Sequence, residues 1–148
     1  FPPIGDQKSL GSCASYATTY YQYTYEVNKL NHVNSESDRV IYSPKWTYNF
    51  ANNGYNSGTT LTNNYKVLMS LGCLKNNDFP YTGNSSNYIE WASGLEDEKI
   101  EALQTRITKI NKYEIPVNSN ISSPSSTALQ GLKNILNEGK IVVTSTRC

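Results

Sequence analysis

The apolar positions of this chain fall into short helical patterns separated by polar loops. Tyr16, Tyr20, Tyr23, Val27 and Leu30 recur at alternating steps of four and three, which predicts a helix from Cys13 to about Lys29 with that face buried. Phe1 to Leu10 reads as extended, because Pro2 and Pro3 cannot sit in a helix interior. Gly11-Ser12 is a turn and helix start, with Ser12 placed to cap. Asn31 to Arg39 reads as a polar loop. Ser43 and Pro44 predict a second, short helix to about Asn49, Ser43 capping and Pro44 at the first helical position. The clusters Asn52-Asn53-Gly54 and Asn56-Ser57-Gly58 are turns. Leu61, Tyr65, Leu68 and Leu71 share one side of a helix from about Thr60 to Leu71, stopped by Gly72. Phe79 to Gly83 reads as a turn, and residues 84–98 as a loop that becomes acidic.

Further on the pattern changes. The stretch from Ala102 to Tyr113 contains an alternation, Ile107 and Lys109 against Thr108 and Ile110, that reads as a strand. Residues 118–126 form a Ser/Asn/Pro-rich loop. Leu129, Leu132, Ile135 and Leu136 mark an amphipathic helix from Ser126 to Glu138, ended by Gly139. Ile141-Val142-Val143 is a β-branched run and reads as a strand. A chain that stops soon after its first convincing core strand is expected to be an incomplete fold.

Composition narrows the classes of function. The 148 residues suffice for one ordinary domain, and a net charge of +1 leaves no field aimed at nucleic acid or a membrane surface. No apolar run approaches the roughly 18–20 residues that span a bilayer. The chain opens on Phe1, as expected of a processed or excised protein. Its 12 tyrosines, with abundant Asn, Ser and Thr, suit an exported protein: secreted, periplasmic or on the cell surface. The Asn-x-Ser triplets at Asn84 and Asn120 arise easily by chance in so Asn-rich a chain. Three cysteines, Cys13, Cys73 and Cys148, leave at least one unpaired within the chain. No Cys/His spacing suits zinc, and a single histidine, His32, argues against a histidine metal site; no metal or organic cofactor is expected.

Chemistry concentrates in Asp6-Gln7-Lys8-Ser9-Leu10-Gly11-Ser12-Cys13-Ala14-Ser15-Tyr16-Ala17. A thiol in the first turn of a helix faces unpaired N–H groups and the positive end of the macrodipole, which favour thiolate. Gly11 lets the backbone pass close to a substrate carbonyl. The Cys13 N–H and the Gln7 side chain are then two donors for a developing oxyanion, and thiolate plus two donors makes most of an acyl-transfer site. Taken singly, each residue has a duller reading. A lone cysteine is usually an inert hydrophobe, and a lone glutamine a surface residue. Cys73, after a helix stop, reads as core, His32 as a solvated loop residue, and Asp97, Glu98 and Glu101 as a solvated helix edge.

The segment resembles the nucleophile region of papain-like cysteine peptidases, in particular the bacterial members. These carry a Gln six residues before the nucleophile of a Gly-Ser-Cys, as Gln7 stands to Cys13. Pro2-Pro3-Ile4-Gly5-Asp6-Gln7 through Ala17 follows the bacterial opening. Tyr42-Ser43-Pro44-Lys45-Trp46, then Gly58 through Gly72 with Cys73 and Phe79-Pro80-Tyr81, then Leu129 to Val143 resemble later segments of the family in the same order. The resemblance implies an α+β, papain-like fold. Residues 1–105 would be the mostly helical first lobe with the nucleophile helix, and 106–148 the start of a β-barrel-like second lobe. It implies proteolysis through a thioester acyl-enzyme, with Cys13 as nucleophile and Gln7 as oxyanion donor. Gly11, Ser12, Asn56, Ser57 and Gly58 would bind substrate. In the family the general-base His and its orienting Asn follow later, past the strand at Ile141. They are expected from a C-terminal segment or a second chain, and His32 takes no catalytic role. Two departures stand out: the residue after the nucleophile is Ala14 rather than Trp, and Leu10 and Tyr55 replace a cysteine pair common in eukaryotic members. The competing readings are a papain-fold binding protein without activity, a transglutaminase or amidase, and an adhesin or cell-wall module.

Overall fold

In a computed structural model of the chain, which describes residues 1–84, 96–112 and 126–145, the first helix begins at Cys13 as expected. It is α-helical over α1 (Cys13–Ser15), π-wound over Tyr16–Tyr23 and α-helical again over α2 (Thr24–Leu30). A π-helix bonds each N–H to the carbonyl five residues back, so residues sharing a face stand further apart than in an α-helix. The Thr24 N–H reaches the Thr19 carbonyl in this way.

The extra winding explains which face is buried. Tyr16, Tyr20 and Tyr23 are buried as expected, but Leu30 is 78 % exposed and Val27 only half-buried. A second buried stripe replaces them, Ser15, Thr19, Thr24 and Asn28, at steps of four, five and four. Each member finds a partner, as a buried polar group must. Ser15 donates to Asn64 Oδ1 at 2.6 Å, and Thr19 pairs with Thr47 at 2.8 Å. Thr24 Oγ1 accepts the Tyr42 N–H at 3.0 Å, and Asn28 both donates to and accepts from the Val40 backbone.

This hydroxyl stripe packs on α3 (Pro44–Ala51) and α4 (Leu61–Ser70). Ser43 caps α3 by accepting the Trp46 N–H at 3.3 Å, with Pro44 at the first helical position, as predicted. Thr60 caps α4 through the Asn63 N–H at 3.1 Å. Of the face expected on α4, Leu68 is fully buried while Leu61, Tyr65 and Leu71 are half-buried. Trp46, Leu68, Cys73, Leu74, Phe79 and Ala102 form the core, with Tyr23 and Tyr42 edge-on at its margin.

Three expectations need correction here. Residues 96–98 are not loop: α5 (Glu96–Gln104) covers them, in keeping with the helix edge read at Asp97, Glu98 and Glu101, and its Ala102 is completely buried. The helix is selected by docking. Thr105 Oγ1 binds Cys73 through both its N–H and its carbonyl, and the Tyr23 hydroxyl donates to the Thr105 carbonyl. The Ile107 N–H goes to the Leu68 carbonyl at 3.2 Å, so it satisfies a helix end and makes no strand ladder. The turn expected at 79–83 falls earlier, with the Asp78 and Phe79 N–H groups both on the Lys75 carbonyl. Residues 80–84 are instead irregular, and the Ser9 N–H bonds the Gly83 carbonyl at 3.2 Å.

These elements belong to one compact unit, Phe1–Lys109; Ile110–Cys148 is a second. Its described part holds α6 (Ser126–Asn137), which ends at Gly139 as predicted. Gly139 has φ +70°, its N–H bonds the Leu136 carbonyl, and the Lys140 N–H bonds that of Ile135, a complete Schellman ending. The predicted strand at Ile141 to Val143 does not form: apart from one isolated bridge between Tyr42 and Lys75, the described residues contain no β-structure. A strand needs a ladder of backbone bonds to a neighbouring strand, and the described residues hold no such ladder. The fold is thus mainly helical, in keeping with the expected first lobe. The loop predicted at 118–126 lies mostly, and Tyr113 and Cys148 lie entirely, outside the described residues. No helix among the described residues is long and apolar enough to cross a membrane.

Candidate active site

Cys13 is exposed and unpaired at the first residue of the long helix. Its N–H, at the first helical position, has no acceptor within the helix. Ser12 does not cap this end as predicted. With φ −97° and ψ 17° its backbone is not extended, and its side chain makes no cap hydrogen bond. The Ser12 hydroxyl is instead fully buried against Tyr81, 2.6 Å away. The first-turn N–H groups therefore keep no side-chain acceptor from Ser12.

The segment before Cys13 is suspended from tyrosines. Tyr81 donates to the Gln7 carbonyl at 2.7 Å, which commits its single proton, so Ser12 must be the donor in the Ser12–Tyr81 pair. Tyr16 donates to the Asp6 carbonyl at 3.0 Å, and the Gly5 N–H donates to the Tyr21 hydroxyl at 3.0 Å. Burial, more than anything else, pushes the Tyr16 and Tyr81 hydroxyls up from their ordinary value, so both stay protonated donors at neutral pH. Tyr16 and Tyr81 also meet edge to face at 5.0 Å. Asp6 is held below the usual carboxylate range by hydrogen bonds from the Lys8 backbone and ammonium.

Gln7 and Cys13 line one open cleft of about 400 Å³, together with Gly5, Asp6, Tyr16, Ala17 and Tyr21. The Gln7 amide donates to the Leu10 carbonyl at 3.2 Å, while the Leu10 N–H returns to the Gln7 carbonyl at 3.3 Å. An amide nitrogen carries two N–H groups, so one orients the side chain and the second remains for a ligand.

Residues 56–58 lie against the backbone just ahead of Cys13 and are not among those that line this cleft. Gly58 has φ +90°, a conformation that suits glycine. A Cβ built on Gly11 would lie 2.9 Å from the Gly58 nitrogen, so the two glycines allow backbone to pass backbone. Asn56 joins the two segments: its Oδ1 accepts the Gly11 N–H at 2.9 Å and the Tyr48 hydroxyl at 2.6 Å. Its Nδ2 donates to the Ser9 carbonyl at 3.3 Å. Ser57 lies between Asn56 and Gly58 in this turn. The structure thus brings Gln7, Gly11, Ser12, Cys13, Asn56 and Gly58 into one neighbourhood. Tyr48 and Tyr81, which hold it, were not singled out as site residues. Tyr81 stands in the Phe79-Pro80-Tyr81 run; nothing in the local pattern marks Tyr48.

His32 sits at the far end of the helix. At roughly 1.5 Å per residue it lies more than about 20 Å along the axis from Cys13. It is exposed with φ +54°; its N–H bonds the Lys29 carbonyl and that of Val33 the Asn28 carbonyl. His32 therefore ends α2 as Gly139 ends α6. Cys73 is 1 % exposed, and burial raises its thiol well above the ordinary value. No group of three metal-ligating side chains occurs among the described residues.

The chain is similar in structure to xylellain, a cysteine protease from Xylella fastidiosa, with a TM-score of 0.52 and 22 % identity over 74 % of this chain. It spans 45 % of that protein's chain. At this identity the likeness shows the fold alone. No family model and no curated protein matches the sequence.

Proposed function

We propose that the protein is a papain-like cysteine peptidase of the bacterial type, in which Cys13 is the nucleophile. The observation that carries this reading is the joint placement of Cys13 and Gln7 on one open cleft, with Cys13 exposed at an uncapped helix start. Cys13 Sγ attacks the carbonyl carbon of the scissile peptide bond. The oxyanion that forms lies against the Cys13 N–H and the second Gln7 N–H. Collapse expels the amine, which takes a proton from a general acid, and leaves a thioester on Cys13. Water, deprotonated by the same group acting as base, then hydrolyses the thioester and restores the thiol. The acid–base group is a histidine, oriented by an asparagine, from a following segment or a second chain. In this reading Gly11, Ser57 and Gly58 lie along the substrate backbone, whereas Ser12 is fully buried and the Asn56 amide oxygen is already taken by Gly11 and Tyr48. The composition, rich in Tyr, Asn, Ser and Thr, suits an exported enzyme.

Incubation with a peptidyl epoxide followed by peptide mass mapping tests the assignment. The reading expects a covalent adduct on Cys13 in the protein carrying the histidine segment, and its disappearance in Cys13→Ala. Peptide hydrolysis that survives Cys13→Ala unchanged would overturn it.

A further inference from the structure

We infer that Asn56 is a positioning residue for the nucleophile loop, oriented by Tyr48, and not a group that touches substrate. The inference rests on the peptidase reading only for its kinetic consequence; its structural half stands independently.

The Asn56 amide oxygen is fully engaged. Its Oδ1 accepts from two donors, the Gly11 N–H at 2.9 Å and the Tyr48 hydroxyl at 2.6 Å. These fill the two lone pairs of an amide oxygen. The assignment of O and N is forced, since a flipped amide would set an NH2 group against the Gly11 N–H. The Nδ2 then faces the Ser9 carbonyl at 3.3 Å. One side chain thus holds the backbone at Ser9 and at Gly11, on both sides of buried Leu10 and just ahead of Cys13.

Tyr48 supplies the third point. It is completely buried on α3, a fixed element, so its hydroxyl is a reference that the two loops lack. Burial is the main reason its phenol stays above its ordinary value, with the backbone of Gly58 and Gly11 opposing and Cys13 adding to the rise. The same hydroxyl therefore sits near Gly11, Gly58 and Cys13 together. The close approach of Gly11 to Gly58 needs this hold, because two glycine segments carry no side chains to lock against each other. Loosening the anchor would let the Gly11–Cys13 backbone drift, and a misplacement of about 1 Å at a reacting group can cost about a hundredfold in rate.

Two measurements separate the halves of the proposal. In the 148-residue chain, amide hydrogen exchange at Gly11 should speed by at least about tenfold in Asn56→Ala and by a smaller factor in Tyr48→Phe, with the α4 amides unchanged. Unaltered Gly11 exchange in both variants would refute the anchor whatever the enzyme does. In the peptidase-active protein, Asn56→Ala should lower kcat by about 10–100-fold with KM held within about threefold. Tyr48→Phe should give a smaller loss of the same kind. A raised KM at constant kcat would show that Asn56 binds substrate, and an unchanged kcat that the anchor has no kinetic role; either overturns the proposal. Tyr48→Phe keeps the ring in place and covers the case in which Asn56→Ala does not fold. If Gly11 exchange responds but Cys13→Ala leaves hydrolysis intact, the anchor stands and the peptidase reading fails.

Discussion

Cys13 and Cys73 are the same side chain in opposite surroundings. Cys13 is exposed at a helix start and lines the same open cleft as Gln7. Cys73 follows a helix end, is 1 % exposed, and points its thiol at the Ser43 and Leu74 carbonyls. Around Cys73 the packing is so close that Gly72, at φ +68°, leaves no room for a methyl group; a Cβ there would lie 1.8 Å from the Ala102 carbonyl oxygen. Around Cys13 the contacts are hydrogen bonds to backbone, made by Tyr81, Tyr16 and Asn56. One region is held by volume, the other by directional bonds. The proposed thiol chemistry falls to the second, because an attacking sulfur needs access and donors that a filled core denies it.

Four changes would sharpen or break this contrast. Exchanging the roles of the two thiols is the largest. Cys13→Ala should reduce peptide hydrolysis by at least about a thousandfold while moving stability by less than about 0.5 kcal/mol, since the site is exposed. Cys73→Ala should leave the chemistry in place and cost about 1–3 kcal/mol in a urea titration. The opposite assignment of losses would end the comparison. In native protein, iodoacetamide followed by peptide mapping should mark Cys13 and spare Cys73.

Gly72→Ala should destabilise the unit by about 3–5 kcal/mol, from the left-handed backbone plus the clash with Ala102. Gly54→Ala serves as a control: its φ is +79° but a Cβ there meets open space, so only the backbone part, about 1–2 kcal/mol, should appear.

Alkaline unfolding gives a third measurement. Burial pushes Tyr65 up to about 12 and raises Tyr16, Tyr20, Tyr23 and Tyr42 as well. The folded-state values stand above the unfolded value near 10, so the folded chain holds more protons between the two. Stability is full below about pH 10 and falls as pH rises through the folded values. Circular dichroism should show unfolding above that point, and Tyr65→Phe should make the fall shallower. A stability curve flat from pH 9 to about 12 would contradict the burial of these phenols.

The smallest effect concerns His32. If it serves to end α2 in a left-handed conformation, His32→Gly should raise stability by about 0.5–1 kcal/mol and leave hydrolysis untouched. A large loss of activity would give His32 a chemical role that its position denies.

Much of this was legible from local pattern. Ser43-Pro44, Gly72 and Gly139 announce their helix ends because a cap or a left-handed turn is a property of a few neighbouring residues. Cys13 and Gln7 stand close in sequence, so their common cleft follows from one turn of chain. Ser12 misled, since its hydroxyl was taken by Tyr81, a residue distant in sequence and invisible to a capping rule. Leu30 misled because π winding carried Asn28 into the core in its place. Residues 102–107 misled because Ala102 and Thr105 are chosen by the space beside Gly72 and Cys73, not by their own spacing.

The sequence by itself determined most helix ends, those of α5 excepted, and which cysteine stands at a helix start. Those are short-range matters of backbone sterics and capping. Tertiary structure alone decided which hydroxyls turn inward, that Asn56 and Tyr48 hold the loop before Cys13, and that α5 closes the core. A hydrogen bond or a filled volume between residues dozens of positions apart exists only once the chain has brought them together.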